Sequence, residues 1–142
     1  MKRRVTGIGG IFLKSDDPKA SQEWYQKHLG IKSGQWGGTF QWKKADDSSK
    51  DGFTAWSIFK SDTTYTNPST KDAMINYRVE NLEELLLALK EEGVEIVGEM
   101  ESFEYGKFCW IMDPNGYKIE LWEPNDEEYA KMGSDDAINK MG

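Results

Sequence analysis

The chain has 142 residues, which is enough for one compact domain or two small fused modules. The net charge is −7, and the sequence has no basic run that could neutralise phosphates, so we expect no nucleic-acid partner. The single cysteine, Cys109, excludes an internal disulfide, and no long apolar run is present. These features predict a cytoplasmic location without membrane contact.

The chain opens with a predicted strand and helix. Residues 6–14 alternate in character, which places Gly10 and Phe12 on one face of a strand. Asp17 can cap a helix that starts at the following proline and stops at Gly30. The predicted apolar stripe of this helix is Ala20, Trp24 and Leu29.

A hairpin and a linker follow this helix. We interpret residues 31–38 as a loop or weak strand, and residues 39–44 and 53–60 as paired strands. The polar residues 45–52 are predicted to form the hairpin loop. Residues 61–72 are polar, contain a proline, and are interpreted as a linker.

The same pattern then restarts. Residues 74–79 are predicted to form a strand, and Asn81 with Glu84 resembles a capping box at the start of a second helix. Gly93 predicts the end of that helix, and residues 94–97 begin another strand. The helix side chains expected in the core are Leu85, Leu86 and Leu89.

An internal repeat divides the chain into two modules. A shift of 64 positions, read from the sequence, overlays Gly10 on Met74, Asp17 on Asn81, and Trp56 on Glu120. The repeat predicts similar modules at about 5–60 and 73–124, joined by linker 61–72 within a domain spanning 1–124. Residues 125–142 are predicted to be an acidic tail, with a short helix near 126–132 and frayed residues beyond it.

The stretch Phe108–Pro124 predicts a tight hairpin. Its turn, Asp113 to Gly116, carries proline, asparagine and glycine at positions that favour a type I turn closed by a glycine bulge. Counting outward from the turn pairs Ile111 with Ile119, Cys109 with Leu121, and Trp110 with Glu120. Because side chains alternate, Trp110, Glu120 and Trp122 share the face away from the core.

Asp-Pro-Asn-Gly followed two residues later by Ile-Glu-Leu resembles the closing hairpin of the vicinal-oxygen-chelate superfamily. That superfamily includes glyoxalase I, extradiol dioxygenases, and bleomycin- and fosfomycin-resistance proteins. The resemblance implies an α+β fold of two tandem βαβββ modules, whose curved mixed sheets surround a cleft. It also implies a homodimer, because modules of this superfamily often pair across subunits.

The resemblance places a divalent metal in the cleft of the superfamily's metalloenzymes. The matching positions here are Gly10, Trp56, Met74 and Glu120, and only Glu120 offers a suitable donor. Because such sites need about three or four oxygen or nitrogen ligands, we expect no metal and no other cofactor. The only histidine, His28, is expected to cap the C-terminal end of the first helix at the surface, where a positive or polar group interacts favourably with the helix dipole. Cys109 is expected to be an inert buried thiol.

Glu120 has two interpretations at this point. It is either a structural carboxylate paired with a cation such as Arg78, or a group that binds a ligand or acts as a general base. No catalytic residue is assigned. The candidate ligand-binding residues are Glu120, Trp110, Trp122, Trp56, Trp42, Arg78, Asn76 and Phe12.

Two main functions follow. The first is a metal-independent module of the bleomycin-resistance type, which holds a small aromatic or cationic molecule in an aromatic cleft. The second is a glyoxalase-like lyase or isomerase, or a dioxygenase, with a divergent active site. A subunit with a vestigial cleft is a third hypothesis.

Overall fold

A computed structural model describes residues 3–133 and 135–140. The strands are β1 (Val5–Ser15), β2 (Gly38–Lys44), β3 (Asp47–Lys60), β4 (Ala73–Val79), β5 (Ile96–Phe103), β6 (Gly106–Met112), β7 (Lys118–Pro124) and β8 (Ile138–Lys140). The helices are α1 (Pro18–Leu29), α2 (Leu82–Glu91) and α3 (Asp126–Ala130), and a 3₁₀ turn covers Asp135–Ala137.

All eight strands form one curved mixed sheet in the order β5-β6-β7-β4-β1-β3-β2-β8. The central strands β1 and β4 are antiparallel, β1 pairs in parallel with β3, and β4 pairs in parallel with β7. The two halves of the sheet therefore have matching pairings, as the sequence repeat predicts. The α+β, glyoxalase-like fold class is confirmed.

The first module differs in one detail from a full βαβββ unit. Residues 31–37 contain only a bridge between Gly34 and Gly37, where a weak strand was one of two expectations. Strand β8 takes the sheet position next to β2 that this missing strand would fill, and it runs parallel to β2. The first module is thus completed by residues from the end of the chain.

The predicted caps position both main helices. The carboxylate of Asp17 accepts a hydrogen bond from the backbone N–H of Ala20 at 3.1 Å, and Gly30 ends α1 with φ of 70°. The side chain of Asn81 accepts from the backbone N–H of Glu84 at 3.2 Å. These local signals are confirmed because capping depends only on neighbouring residues.

The main apolar core lies between α2 and the second half of the sheet. It contains Leu82, Leu85 and Leu89 of α2, with Cys109 and Leu121 of the β6–β7 hairpin. Burial raises the pKa of the Cys109 thiol to about 11, so this thiol is protonated near neutral pH. The expected inert role of Cys109 agrees with this position.

The expected apolar stripe of α1 is wrong. Trp24 and Leu29 are 53% and 61% exposed, and Ala20 is also on the outside. The helix instead turns Tyr25 inward, and the ring of Tyr25 packs edge-on against the ring of Trp56 with centroids 5.0 Å apart. The face of α1 that packs inward is therefore the one that carries Tyr25 and Ser21, whose hydroxyl shares a hydrogen bond with that of Ser15.

Two sequence boundaries also need correction. Strand β3 begins at Asp47, so the hairpin loop is a short turn rather than the eight polar residues 45–52. The expected short helix in the tail is present as α3. However, the expected fraying beyond it is wrong for Ile138–Lys140, because these residues form β8.

The β6–β7 turn has the predicted geometry. Ile111 pairs with Ile119 and Trp110 with Glu120, and the N–H of Asp113 donates to the carbonyl of Tyr117 at 2.9 Å. Gly116 has φ of 90°, a conformation that side chains disfavour.

Replacing Gly116 with Val is therefore expected to lower the free energy of unfolding by about 1–3 kcal/mol. A Cβ at this position would meet only the Lys71 side chain, at 3.7 Å, so backbone strain is the main cause. Urea unfolding of wild type and variant measures the difference. An unchanged midpoint would contradict the role of this turn.

Among the helices of the described residues, none is both long and apolar enough to cross a membrane.

Candidate functional site

A cavity of about 420 Å³ opens on the sheet face opposite the α2 core. Its floor includes Asn76 of β4, Glu120 and Trp122 of β7, and Phe12 of β1. These side chains alternate with core residues along their strands, which is why they meet on this face. Aromatic side chains that the sequence analysis did not select complete the lining, including Phe53, Tyr65, Tyr105, Phe108 and Tyr129.

Glu120 is 3% exposed and accepts hydrogen bonds from three side chains. The indole N–H of Trp110 donates to Oε2 at 2.9 Å, and the amide of Asn76 donates to Oε1 at 2.7 Å. The hydroxyl of Tyr65 also donates to Oε2. The carboxylate is therefore stabilised by neutral donors and has no ion-pair partner among the described residues.

The expected alternative of an Arg78–Glu120 pair is wrong. In the parallel ladder Asn76 lies beside Glu120, whereas Arg78 lies beside Trp122, two residues further along each strand. The guanidinium of Arg78 instead forms two hydrogen bonds with Asp126, at 2.9 and 2.7 Å. A two-residue displacement along β4 thus gives the arginine a partner beyond the sheet.

Tyr65 is the main site residue that the sequence analysis missed. It belongs to residues 61–72, which form turns that lie against the sheet rather than a loose connection. The ammonium of Lys118 donates to the carbonyl of Tyr65 at 2.7 Å, and the hydroxyl of Ser69 donates to the carbonyl of Gly116 at 2.7 Å. The available signal was that Tyr65 is the only aromatic residue in this otherwise polar stretch.

Protonation states around Glu120 follow from burial. Burial and the negative charge of Glu120 raise the pKa of the Tyr65 hydroxyl well above its ordinary value, so Tyr65 remains a donor. Burial lowers the pKa of Lys118, and the charge of Glu120 opposes that shift. The network thus keeps Tyr65 neutral beside a carboxylate.

The predicted ligand-binding residues fall into three groups. Phe12, Asn76, Glu120 and Trp122 line the cavity. Trp56 borders it, but its ring packs against Tyr25 of α1. Trp110, Trp42 and Arg78 lie outside the lining. Of these, Trp110 donates a hydrogen bond to Glu120 and so helps to position that carboxylate in the cavity.

Trp42 and Arg78 belong to a cluster beside the cavity. The guanidinium carbon of Arg78 lies 5.2 Å from the Trp42 ring and 5.4 Å from the Trp122 ring. The indole N–H of Trp42 donates to the hydroxyl of Thr54 at 2.9 Å. This cluster holds the end of β4, and Trp122 is the one residue that belongs both to it and to the cavity lining.

Charge is distributed unevenly around the cavity. Among the described residues that line it, Glu120 is the only one with a charged side chain. Next to it, Oδ1 of Asn76 is buried and has no hydrogen-bond partner. The floor is therefore rich in acceptors and carries a single negative charge.

Glycine at position 9 is required by this floor. A Cβ there would overlap Oδ1 of Asn76 and lie 3.0 Å from both Arg78 Cγ and Trp122 Cε3. Because residue 9 of β1 has no side chain, the side chains of Asn76 and Trp122 can lie close to the backbone of this central strand.

Residues 7–121 match the Glyoxalase/Bleomycin resistance protein/Dioxygenase superfamily. The chain belongs to this superfamily. The match covers both halves of the sheet and confirms the resemblance given by the closing hairpin. No curated protein sequence matches the chain.

Solved structures with the same superfamily fold have low sequence identity. Methylmalonyl-CoA epimerase from Mycobacterium tuberculosis is 19% identical, with a TM-score of 0.60 over 92% of this chain and 95% of that one. A single-residue variant of the Streptomyces coelicolor epimerase, bound to 2-nitronate-propionyl-CoA, is 15% identical, with a TM-score of 0.63 over 85% and 99%. A superfamily member from Vibrio splendidus 12B01 is 17% identical, with a TM-score of 0.52 over 82% and 97%.

The residues present do not fit the divalent metal that the resemblance to the superfamily's metalloenzymes implies. Of the four matching positions, Gly10, Trp56 and Met74 supply no oxygen or imidazole donor, and both oxygens of Glu120 already accept hydrogen bonds. Across residues 3–133 and 135–140, no group of three or more His, Cys, Asp or Glu side chains is placed to hold a metal ion. His28 lies on the exposed face of α1.

Proposed function

We propose that this superfamily member binds a small aromatic cation in the cavity above Glu120, and that binding requires no metal. The observation that carries the proposal is that Glu120 is the only charged side chain in the described lining. A buried carboxylate whose hydrogen-bond donors are all neutral attracts a cation, because the aromatic walls screen the interaction poorly and the nearby Lys118 ammonium lies outside the lining.

The aromatic lining suits the rest of such a ligand. Phe12, Trp122 and Tyr105 present ring faces or edges to a cavity of about 420 Å³, within the usual range for small-molecule sites. Aromatic faces attract cations as well as rings, each such contact contributing about 0.5–2 kcal/mol. The same lining therefore serves both parts of an aromatic cation.

The mouth of the cavity adds two exposed apolar side chains. Trp36 is 87% exposed at the tip of the turn between Gly34 and Gly37, and Met132 is 61% exposed. When a ligand covers large apolar groups that were exposed to water, the free energy of the system falls. Their position at the mouth supports contact with a bound molecule.

The negative charge of the cavity lining also distinguishes the ligand expected here from the one bound by the Streptomyces epimerase. The Streptomyces epimerase binds a coenzyme A derivative, which is strongly anionic. In the described lining of this chain no cationic side chain faces the cavity, and Glu120 would repel such a ligand. A lyase, isomerase or dioxygenase of the same superfamily has less support, because the donors of a metal site are missing and Glu120 is held by three hydrogen bonds.

Benzyltrimethylammonium and its neutral carbon isostere, neopentylbenzene, test the proposal. Titration followed by tryptophan fluorescence is expected to show binding of the cation at least about tenfold tighter than binding of the isostere. Glu120→Gln is expected to remove most of this preference. The variant should still fold, because the Asn76 amide can turn its unpartnered Oδ1 toward the new amide group.

Two results would contradict the proposal. One is equal affinity of wild type for the cation and its isostere, or no binding of either. The other is loss of binding after treatment of the protein with a chelator, which would show that a metal is required.

The homodimer and the cytoplasmic location stay proposals. The homodimer is supported by the exposed apolar residues Trp24 and Leu29 on α1, which a second subunit would cover.

A further inference from the structure

The C-terminal segment, residues 125–133 and 135–140, lies outside the superfamily match, which ends at residue 121. It nevertheless returns to the cavity instead of leaving the domain. Tyr129, Met132, Ala137 and Ile138 of this segment all line the cavity. One wall of the site is therefore made by residues that lie beyond the matched range.

The start of the segment is fixed by a buried ion pair. Asp126 binds the guanidinium of Arg78 through both carboxylate oxygens and lies 2.9 Å from the ammonium of Lys44. The Arg78 side chain is 4% exposed and that of Asp126 is 16% exposed. Such a bidentate contact sets the direction in which α3 leaves the sheet.

The end of the segment is fixed by backbone contacts. The side chain of Asn139 accepts a hydrogen bond from the N–H of Lys32 at 2.8 Å and donates to the carbonyl of Lys32 at 3.0 Å. Strand β8 also pairs with β2 from Thr39 to Gln41. The segment is thus attached to the first module at the far side of the cavity.

Between these attachments, the Tyr129 ring forms the inner surface of the wall. It contacts the ring of Trp122, with centroids 5.2 Å apart, and the ring of Phe53 at 5.4 Å. Its hydroxyl shares a hydrogen bond of 2.9 Å with the hydroxyl of Thr39. The ring is therefore held in one place and limits how far the cavity extends toward α3.

We infer that the C-terminal segment is the size-selecting wall of the binding site, in which Tyr129 limits the length of the bound molecule and Met132 covers it at the mouth. The inference rests on the proposed binding of an aromatic cation. Tyr129 and Met132 then decide which aromatic cations fit.

The test compares benzyltrimethylammonium with the longer (2-naphthylmethyl)trimethylammonium. Wild type is expected to prefer the shorter cation, and Tyr129→Ala is expected to shift the affinity ratio toward the longer one by about tenfold. Met132→Ala is expected to weaken both cations by about threefold or more, through loss of apolar contact. Lys131→Ala is the matched control, since its side chain is 70% exposed and lies outside the lining.

Acrylamide quenching of tryptophan fluorescence supplies a measurement that needs no ligand. In a background that carries Trp24→Phe and Trp36→Phe, which removes the two exposed indoles, loss of the Tyr129 ring is expected to expose Trp122 and raise the quenching constant by about twofold, while Lys131→Ala leaves it unchanged. If Tyr129→Ala fails to fold, Tyr129→Leu, which keeps an apolar side chain in place of the ring, is compared with both cations for the same shift in the affinity ratio.

The outcomes separate the two proposals. Binding by wild type with an unchanged size ratio in Tyr129→Ala, or unchanged affinity in Met132→Ala, would overturn the wall and leave the binding function standing. Failure of wild type to bind either cation would contradict the binding function. In that case, quenching in Tyr129→Ala equal to that of the control would overturn the wall as well.

Discussion

Replacing Asp126 with Asn is expected to lower the free energy of unfolding by about 3 kcal/mol. Removal of one member of a buried ion pair leaves the other charge without compensation, which typically costs about 3–5 kcal/mol. Arg78 would keep its hydrogen bond to the carbonyl of Phe53, at 3.1 Å, and its contacts with two indole rings. These remaining contacts place the expected loss at the lower end of that range.

The pH dependence of stability provides a second measurement on the same pair. Burial alone would raise the pKa of Asp126, but the hydrogen bonds and charges of Arg78 and Lys44 outweigh it and lower the pKa below its ordinary 3.8. Since the folded pKa is depressed, the carboxylate stabilises the fold above its ordinary pKa. This contribution is lost as the pH falls through the folded pKa.

Urea unfolding at several pH values measures both effects. The difference between wild type and Asp126→Asn is expected to be constant near neutral pH and to shrink below about pH 4. Glu127→Gln removes the same charge from the adjacent, exposed position and is expected to change stability by less than about 0.5 kcal/mol. Equal effects of the two substitutions would contradict a buried pair at Asp126.

Replacing Glu120 with Leu is expected to destabilise the fold by about 3 kcal/mol, far more than Glu120→Gln. Leucine would leave the indole N–H of Trp110 and the amide of Asn76 without an acceptor in a buried position. Each buried donor without a partner costs about 1–3 kcal/mol. The Tyr65 side chain is partly exposed, so its hydroxyl can reach water and adds less.

Thermal and urea unfolding of the two variants separate charge from hydrogen bonding. Glutamine keeps an acceptor for Trp110 and is expected to cost less than about 1 kcal/mol. Tyr65→Phe, combined with each variant, measures how much of the loss passes through the tyrosine. Leucine and glutamine variants of equal stability would show that the network around Glu120 does not support the fold.

Local signals in the sequence predicted the fold well. The turn residues Asp113 to Gly116 determine which residues of β6 and β7 face each other, so Trp110 and Glu120 were placed together correctly. Helix caps at Asp17 and Asn81 were equally clear, because a cap depends on residues within one turn. The repeat then gave the arrangement of the two halves.

The partners of charged and aromatic site residues could not be read in the same way. Arg78 and Asp126 are 48 positions apart, and Tyr65 and Glu120 are 55 apart, with no periodic pattern linking them. The side of α1 that packs inward was also missed, since it is set by Tyr25 against Trp56 of another strand. Contacts of this kind depend on where loops and the chain end return, which composition and alternation do not encode.

The two edges of the sheet have a consequence for self-association. An open strand edge carries free N–H and C=O groups that invite pairing with another copy, and can lead to aggregation. Here β8 covers the edge at β2, while β5 at the other edge has a register shift around Gly98, whose φ is 71°, and carries Glu99 and Glu101. Neither edge of the described sheet is a long flat template for a neighbouring strand. Extension of the sheet between subunits is therefore disfavoured, and two copies of this chain would associate through helix or loop surfaces instead.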